Sequence, residues 1–320
     1  KNCRRVGMIF WKTLEAVGIF LGLGLVGFIL LARKAIAREA LSTLSFLSLD
    51  LAVPALVFYD MMVHFSLEKY PFWWLYPLVW IGAFAFLWFL SWLFSFFFSR
   101  VYRKEVFVSL LYPNAIFIPL ILLPSLFPEE PGIIVDLFLF TVLFSFFLFQ
   151  GFGFFYGAKK EKNLNFRKLF PPLVFMLVGS LAIHYAGLRP FVPDFVIDVA
   201  KRIGMLSIPL LLFVIGGNIY LDRYEVSILP LKAKIGFVLV KNLVFPLVHL
   251  CVVAFLPLPS LFRFFVFLQS ALPPVTALPV LVEREGGNRM VVQSLFLWSV
   301  VGLVVTLPVA LWVYERLYGV

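Results

Sequence analysis

Charge is what this chain has least of. Of its 320 residues only 14% are Asp, Glu, Lys or Arg, against about 25% in a soluble domain. Together with 62% hydrophobic residues and a mean hydropathy of +1.02, that scarcity excludes an ordinary water-soluble fold. Cysteine is scarcer still. Cys3 in the N-terminal tail and Cys251 in a predicted helix are the only two, which rules against a disulfide framework or a Cys-rich metal site. No HExxH, paired acidic motif, Gly-x-Ser-x-Gly or nucleotide loop occurs, so the sequence reads as neither a hydrolase nor an ATPase, and not as an enzyme. His184 and His249 stand alone in apolar surroundings and read as packing residues.

What the chain has is long apolar segments. A spanning helix needs about 20 apolar residues, and ten such segments fall near 9–32, 40–62, 72–98, 105–127, 132–157, 169–188, 195–220, 232–256, 260–282 and 290–314. The 40 Phe and 8 Trp suit lipid-facing and interfacial surfaces. The net charge of +10 would suggest a nucleic-acid partner only if its placement were ignored, because the charges lie mainly in loops. Counted on alternate sides of ten spans, Lys and Arg number sixteen on the side holding Arg33, Arg100, Lys159–Lys168 and Lys232, and ten on the other, with Lys241 left inside a span. The positive-inside rule then predicts both termini outside a prokaryotic inner (cytoplasmic) membrane. The basic run Lys1–Arg5 opposes that orientation, and because it precedes Met8 it reads as an upstream remnant.

Two segments, Leu111–Leu122 and Ala271–Val282, are broken by prolines in the same way. Pro113 and Pro119 are six apart, as are Pro273 and Pro279, and the pairs are offset by 160 (273 − 113). Proline inside a helix removes a backbone donor and clashes with the preceding turn. Lipid cannot satisfy the freed carbonyls, so such a break belongs inside protein or beside a wet cavity. Matching interrupted segments in two halves point to a transporter's substrate site. Pro54 and Pro209 echo at 155 (209 − 54). Five helices followed by five related ones place the second half upside down, so residues 1–160 and 161–320 are predicted as inverted repeats. Gly18, Gly22 and Gly27 read as a close-packing seam in the first helix, and Gly216 and Gly217 as packing or local unwinding in the seventh.

Breaks at mid-membrane expose amide donors with about half a positive charge. Two crossing breaks concentrate donors and favour an anion, most simply a carboxylate. Asn114 can donate, accept and cap the second half-helix; Ala115 follows it, and on the other segment Pro273, Pro274 and Thr276 occupy the corresponding place. Lys241, near the bilayer centre, either attracts the anion or makes a structural ion pair or carbonyl bond. Asp50 is read as a proton carrier, as Lys241's partner, or as a neutral buried carboxyl. Asp60 with His64 reads as a wet rim feature, and Asp136 as a first-turn carboxylate. Gln150, Gln269, Ser270, Gln293, Ser294 and Ser299 offer oxygens to a coupling sodium ion; no metal or cofactor site is otherwise expected. The coupling ion is left open between H+ and Na+.

Leu49–Phe58, Tyr112-Pro-Asn114 through Pro119, Pro171-Pro172 with Gly179, Ser207–Gly216, Lys241–Pro246, Ala271–Thr276, Gly286-Gly-Asn288 and Ser299–Pro308 follow one another in the order of the auxin efflux carrier (PIN-like) family, and the chain resembles a prokaryotic member of it. That resemblance implies an all-α integral membrane fold of ten helices in two inverted five-helix repeats, shared with bile acid symporters. It implies scaffold helices over 9–62 and 169–220, a transport domain over 72–157 and 232–314, and elevator-type movement. It also implies a homodimer through the scaffold, and a small organic anion carried at the crossing of helices 4 and 9. Ala115-Ile116-Phe117 stands where the family often has glycine, which implies a tighter or more apolar site. The rivals are a sodium-coupled bile-acid-like symporter, which wants an acidic residue that Gln269–Val282 lacks, and a non-transporting ligand sensor on the same fold.

Overall fold

The computed structural model describes residues 2–156, 171–222 and 229–319, with side chains over slightly less. Its regular elements are helical: α1 (Asn2–Ala32), α2 (Ala40–His64), α3 (Leu75–Ser95), α4 (Arg103–Leu111), α5 (Phe117–Leu126), α6 (Ile133–Phe149), α7 (Pro172–Tyr185), α8 (Asp194–Leu221), α9 (Leu231–Phe255), α10 (Ser260–Ala271), α11 (Leu278–Arg284) and α12 (Arg289–Tyr318). Six of them, α1, α2, α3, α8, α9 and α12, are long and apolar enough to cross a membrane, and α5, α6, α7 and α10 are shorter apolar helices. Most expected boundaries lie within a few residues of these ends. The two segments expected to be broken are each two helices, α4 with α5 and α10 with α11. The basic loop Lys159–Lys168 lies outside the described residues.

Prolines do two jobs here. Pro171, Pro193, Pro230 and Pro259 each stand immediately before a helix start, where a fixed φ and a missing donor cost nothing. Pro54 and Pro246 instead follow wide π-helical stretches, Leu47–Ala52 in α2 and Val240–Val244 in α9. Each lacks the amide that would bond four residues back, so the carbonyls of Asp50 and Asn242 lose that partner and the helix widens locally.

Glycine sets how closely the helices meet. A Cβ built on Gly216 of α8 would lie 1.7 Å from the Gly24 carbonyl oxygen, and one on Gly27 of α1 would lie 2.2 Å from that of Phe213. The backbones of α1 and α8 are thus in direct contact. Gly18 and Gly22 face open space, so the expected seam is corrected to Gly24, Gly27 and Gly216. A second close crossing joins α8 to α2, where a Cβ on Gly204 would meet the Leu56 Cα at 2.8 Å and Ser48 Oγ donates to the Ser207 carbonyl at 2.9 Å. Between α9 and α12, Ser299 Oγ donates to Asn242 Oδ1 at 2.7 Å and Asn242 Nδ2 to the Ser299 carbonyl at 2.9 Å. That pair occupies Ser299, which had been a candidate sodium ligand.

Candidate functional site at the helix crossing

Pro113 has no amide to continue α4, and the chain runs extended at Tyr112. Pro273 and Pro274 do the same after α10. The two extended pieces meet as a single antiparallel bridge, Pro113 against Pro274. Asn114 N–H donates to the Pro273 carbonyl at 2.7 Å, and Val275 N–H to the Tyr112 carbonyl at 2.9 Å. The arrangement is two-fold: 273 − 112 and 275 − 114 are both 161, as is the offset of the starts of α5 and α11, 278 − 117. The sequence spacing of 160 is one residue short. The second break runs over six residues, 272–277, against five in the first, 112–116, because it holds two prolines. The position equivalent to Asn114 is therefore Val275, not Thr276 or Pro274.

This bridge changes which donors are free. The amides of Asn114 and Val275 satisfy each other's strand rather than a ligand. Phe117 N–H donates to Asn114 Oδ1 at 3.2 Å, the cap expected at the start of α5. Asn114 itself is fully buried, and its Nδ2 has no partner. An unpaired buried amide costs about 1–3 kcal/mol, and no described group accepts from this one.

Asn114 lines a cavity of about 290 Å³. One wall is α2 (Leu49, Asp50, Val53), another is α6 (Phe144, Ser145, Leu148, Phe149), a third is the start of α7, and the floor is Asn114 through Phe117 with Val275 and Ala277. Among the described residues the wall is apolar except for Asn114, Asp50 and Ser145, and it carries no Lys, Arg or His. Asp50, in the π-helical stretch of α2, lies on this wall and is exposed, so its reading as a buried carboxyl is corrected.

The other expected site residues divide clearly. Ala115 lines the cavity, and its carbonyl accepts from Gln269 Nε2 at 3.0 Å. Pro113 borders a separate, water-sized cavity of about 20 Å³ with His249, Gln269 and Ser270. Pro119 and Pro279 are buried in the first turns of α5 and α11, and Pro273 and Pro274 serve the bridge. Thr276 is half-buried and does not line the cavity. Lys241 is fully buried, donates from Nζ to the Leu110 carbonyl at 3.0 Å, and lies 5.3 Å from the Phe245 ring centre. It therefore caps the carboxyl end of α4, where a cation complements the dipole; it does not pair with Asp50. Asp60, read as a wet rim residue, is only 5% exposed, with Oδ1 3.9 Å from His64 and Oδ2 unpartnered. Asp136 sits in the first turn of α6 and accepts from the Tyr76 hydroxyl. Gln293 is buried in α12 away from the cavity, and the Gln150 side chain lies outside the described residues. His184 and His249 contact the Met61 and Phe245 carbonyls. Among the described residues no group of three or more His, Cys, Asp or Glu could hold a metal ion.

Sequence reasoning missed the α6 wall. Its positions 144, 145, 148 and 149 form one helical face, a period visible in the sequence but with nothing to say which neighbour it faces.

The family model described as "Membrane transport protein" matches residues 14–167 and 162–311, which together cover almost the whole chain. Protein PIN-LIKES 7 of Arabidopsis thaliana is 27% identical over 121 residues, which are 36% of this chain and 30% of that protein. The chain thus spans under a third of the length of the curated relative it matches.

Proposed function

The chain belongs to the membrane transport protein family of auxin efflux carriers and PIN-like proteins, and from that premise we propose that it carries small organic anions as a secondary transporter. The observation that carries the reading is the buried, unsatisfied amide of Asn114, a residue that lines the cavity beside the bridged breaks. A carboxylate there accepts from Asn114 Nδ2 and lies at the amino end of α5, whose dipole favours negative charge. The rest of the ligand packs against Ile116, Phe117, Leu148 and Val275. The described wall is apolar and no cationic side chain lines it among the described residues, so a monocarboxylic acid with an apolar body fits it better than a dicarboxylate.

In this reading α4–α5 and α10–α11 are broken spans, giving ten spans in two inverted repeats, 1–160 and 161–320, with both termini outside a prokaryotic inner membrane. Scaffold helices α1, α2, α7 and α8 form the dimer, and α3–α6 with α9–α12 slide past them as an elevator. The Gly24–Gly216 seam supports a scaffold that moves as one piece. Asp50, facing an anion across an apolar cavity, is the proton carrier: protonated, it ceases to repel the ligand. Lys241 acts at one remove, holding α4 in place.

The test is uptake of labelled acids into proteoliposomes with proton, sodium and electrical gradients imposed singly. Proton-dependent uptake of an apolar monocarboxylate supports the proposal. Uptake that requires sodium, or no accumulation of any acid while binding persists, refutes it in favour of a sodium symporter or a sensor.

A further inference from the structure

A second, open cavity of about 520 Å³ lies between the carboxyl end of α3 and the amino end of α9 and shares no lining residue with the cavity at the crossing. It is lined by Phe94, Phe97, Phe98, Leu239 and Val240 together with Lys232, Ser99 and Tyr102. Gly236 keeps it open: a Cβ there would meet only the Phe98 ring, at 3.8 Å. The flanking segments 96–104 and 229–240 contain Arg100, Arg103, Lys104, Lys232 and Lys234 and no Asp or Glu. Glu105, which follows the first segment, is buried and accepts from the Asn288 amide, and Glu225, four residues before the second, lies outside the described residues. Arg103 stacks on the Phe96 ring at 4.8 Å, and Phe97 and Val101 are among the most exposed apolar side chains. An aromatic trough lined by an exposed lysine, with no carboxylate in its lining among the described residues, matches a molecule that is apolar at one end and negative at the other. It lies on the side of the membrane that the Lys and Arg count makes cytoplasmic, where anionic lipids concentrate basic residues.

We propose that this groove holds one phospholipid with an anionic headgroup, its phosphate at Lys232 and an acyl chain along Phe94, Phe98 and Leu239. The lipid joins α3 to α9, two helices the proposed elevator moves together, but its binding does not depend on which substrate the crossing takes.

Native mass spectrometry of the whole chain in phosphatidylcholine-supplemented micelles, titrated with phosphatidylglycerol, tests this. One phosphatidylglycerol per chain is retained, roughly fivefold more strongly than phosphatidylcholine, and Lys232→Glu removes that preference. Gly236→Leu fills the trough and weakens retention of both lipids, while melting temperatures in phosphatidylcholine show that each variant is folded; should Gly236→Leu fail to fold, Lys232→Glu decides alone. Glycerol phosphate at matched concentration does not compete. Equal retention of the two lipids, retention unaltered by Lys232→Glu, or displacement by glycerol phosphate overturns the proposal.

Discussion

Asn114 performs two separable tasks, and two substitutions pull them apart. Its Oδ1 caps α5 by accepting from Phe117 N–H at 3.2 Å, and its Nδ2 is left for the ligand. Replacing it with Ala removes both. Loss of the cap costs about 1 kcal/mol, and loss of a hydrogen bond to a charged acceptor costs about 1.5–3 kcal/mol, which is roughly a tenfold to hundredfold fall in anion affinity. Asn114→Asp keeps the capping oxygen but turns the donor into a second anionic oxygen. The Asp variant should therefore melt closer to wild type than the Ala variant, yet bind the anion no better than it. Ligand-free melting temperatures and calorimetric titration with an apolar monocarboxylate, both in detergent at alkaline pH, read the two effects independently. If Asn114→Asp binds like wild type, or if the Ala variant binds within about twofold of it, the amide is not the anion's donor and the reasoning fails.

The α1–α8 seam makes a sharp stability prediction, because Gly216→Ala puts a methyl 1.7 Å from a carbonyl oxygen and should cost about 1–3 kcal/mol, whereas Gly22→Ala meets nothing within 4 Å and should be neutral; equal melting temperatures would refute the contact. Lys241→Gln retains a donor for the Leu110 carbonyl without the charge, so anion affinity should stay within about threefold, since no direct charge pair is lost; a much larger loss would return Lys241 to the binding site. Asp50→Asn should tighten anion binding at alkaline pH and flatten its pH dependence, because wild-type affinity rises as acid neutralises the Asp50 carboxylate on the cavity wall. An unchanged pH profile in that variant would remove Asp50 from the coupling.

The breaks were legible because proline has only one chemistry: Pro113 and Pro273 have no donor to continue a helix, and no lipid can compensate. Asn114 was legible for the same local reason, as the capping residue after a break. What the sequence could not give was register. One extra residue in the second break shifts the two-fold from 160 to 161 and puts Val275 at the place corresponding to Asn114, where Thr276 and the tandem Pro273-Pro274 were expected. Lys241 shows a related limit: a buried charge demands a partner, but its identity, here the Leu110 carbonyl, depends on which helix end packs nearby. The π-helical stretches carried a signal that went unread, since Pro54 and Pro246 each stand two residues past one. The α2 stretch matters most, because it contains Asp50, which lines the cavity.

The central claim is that the cavity floored by the bridged breaks opens to each side of the membrane in turn. Its most direct measurement uses Ser145→Cys, on the α6 wall, in a chain whose Cys3 and Cys251 are replaced by Ser, reconstituted in vesicles and treated with a charged, impermeant thiol reagent applied from one face or the other. The account predicts labelling from both faces, slowed on each by the transported acid. Labelling from a single face, indifferent to the acid, would contradict it.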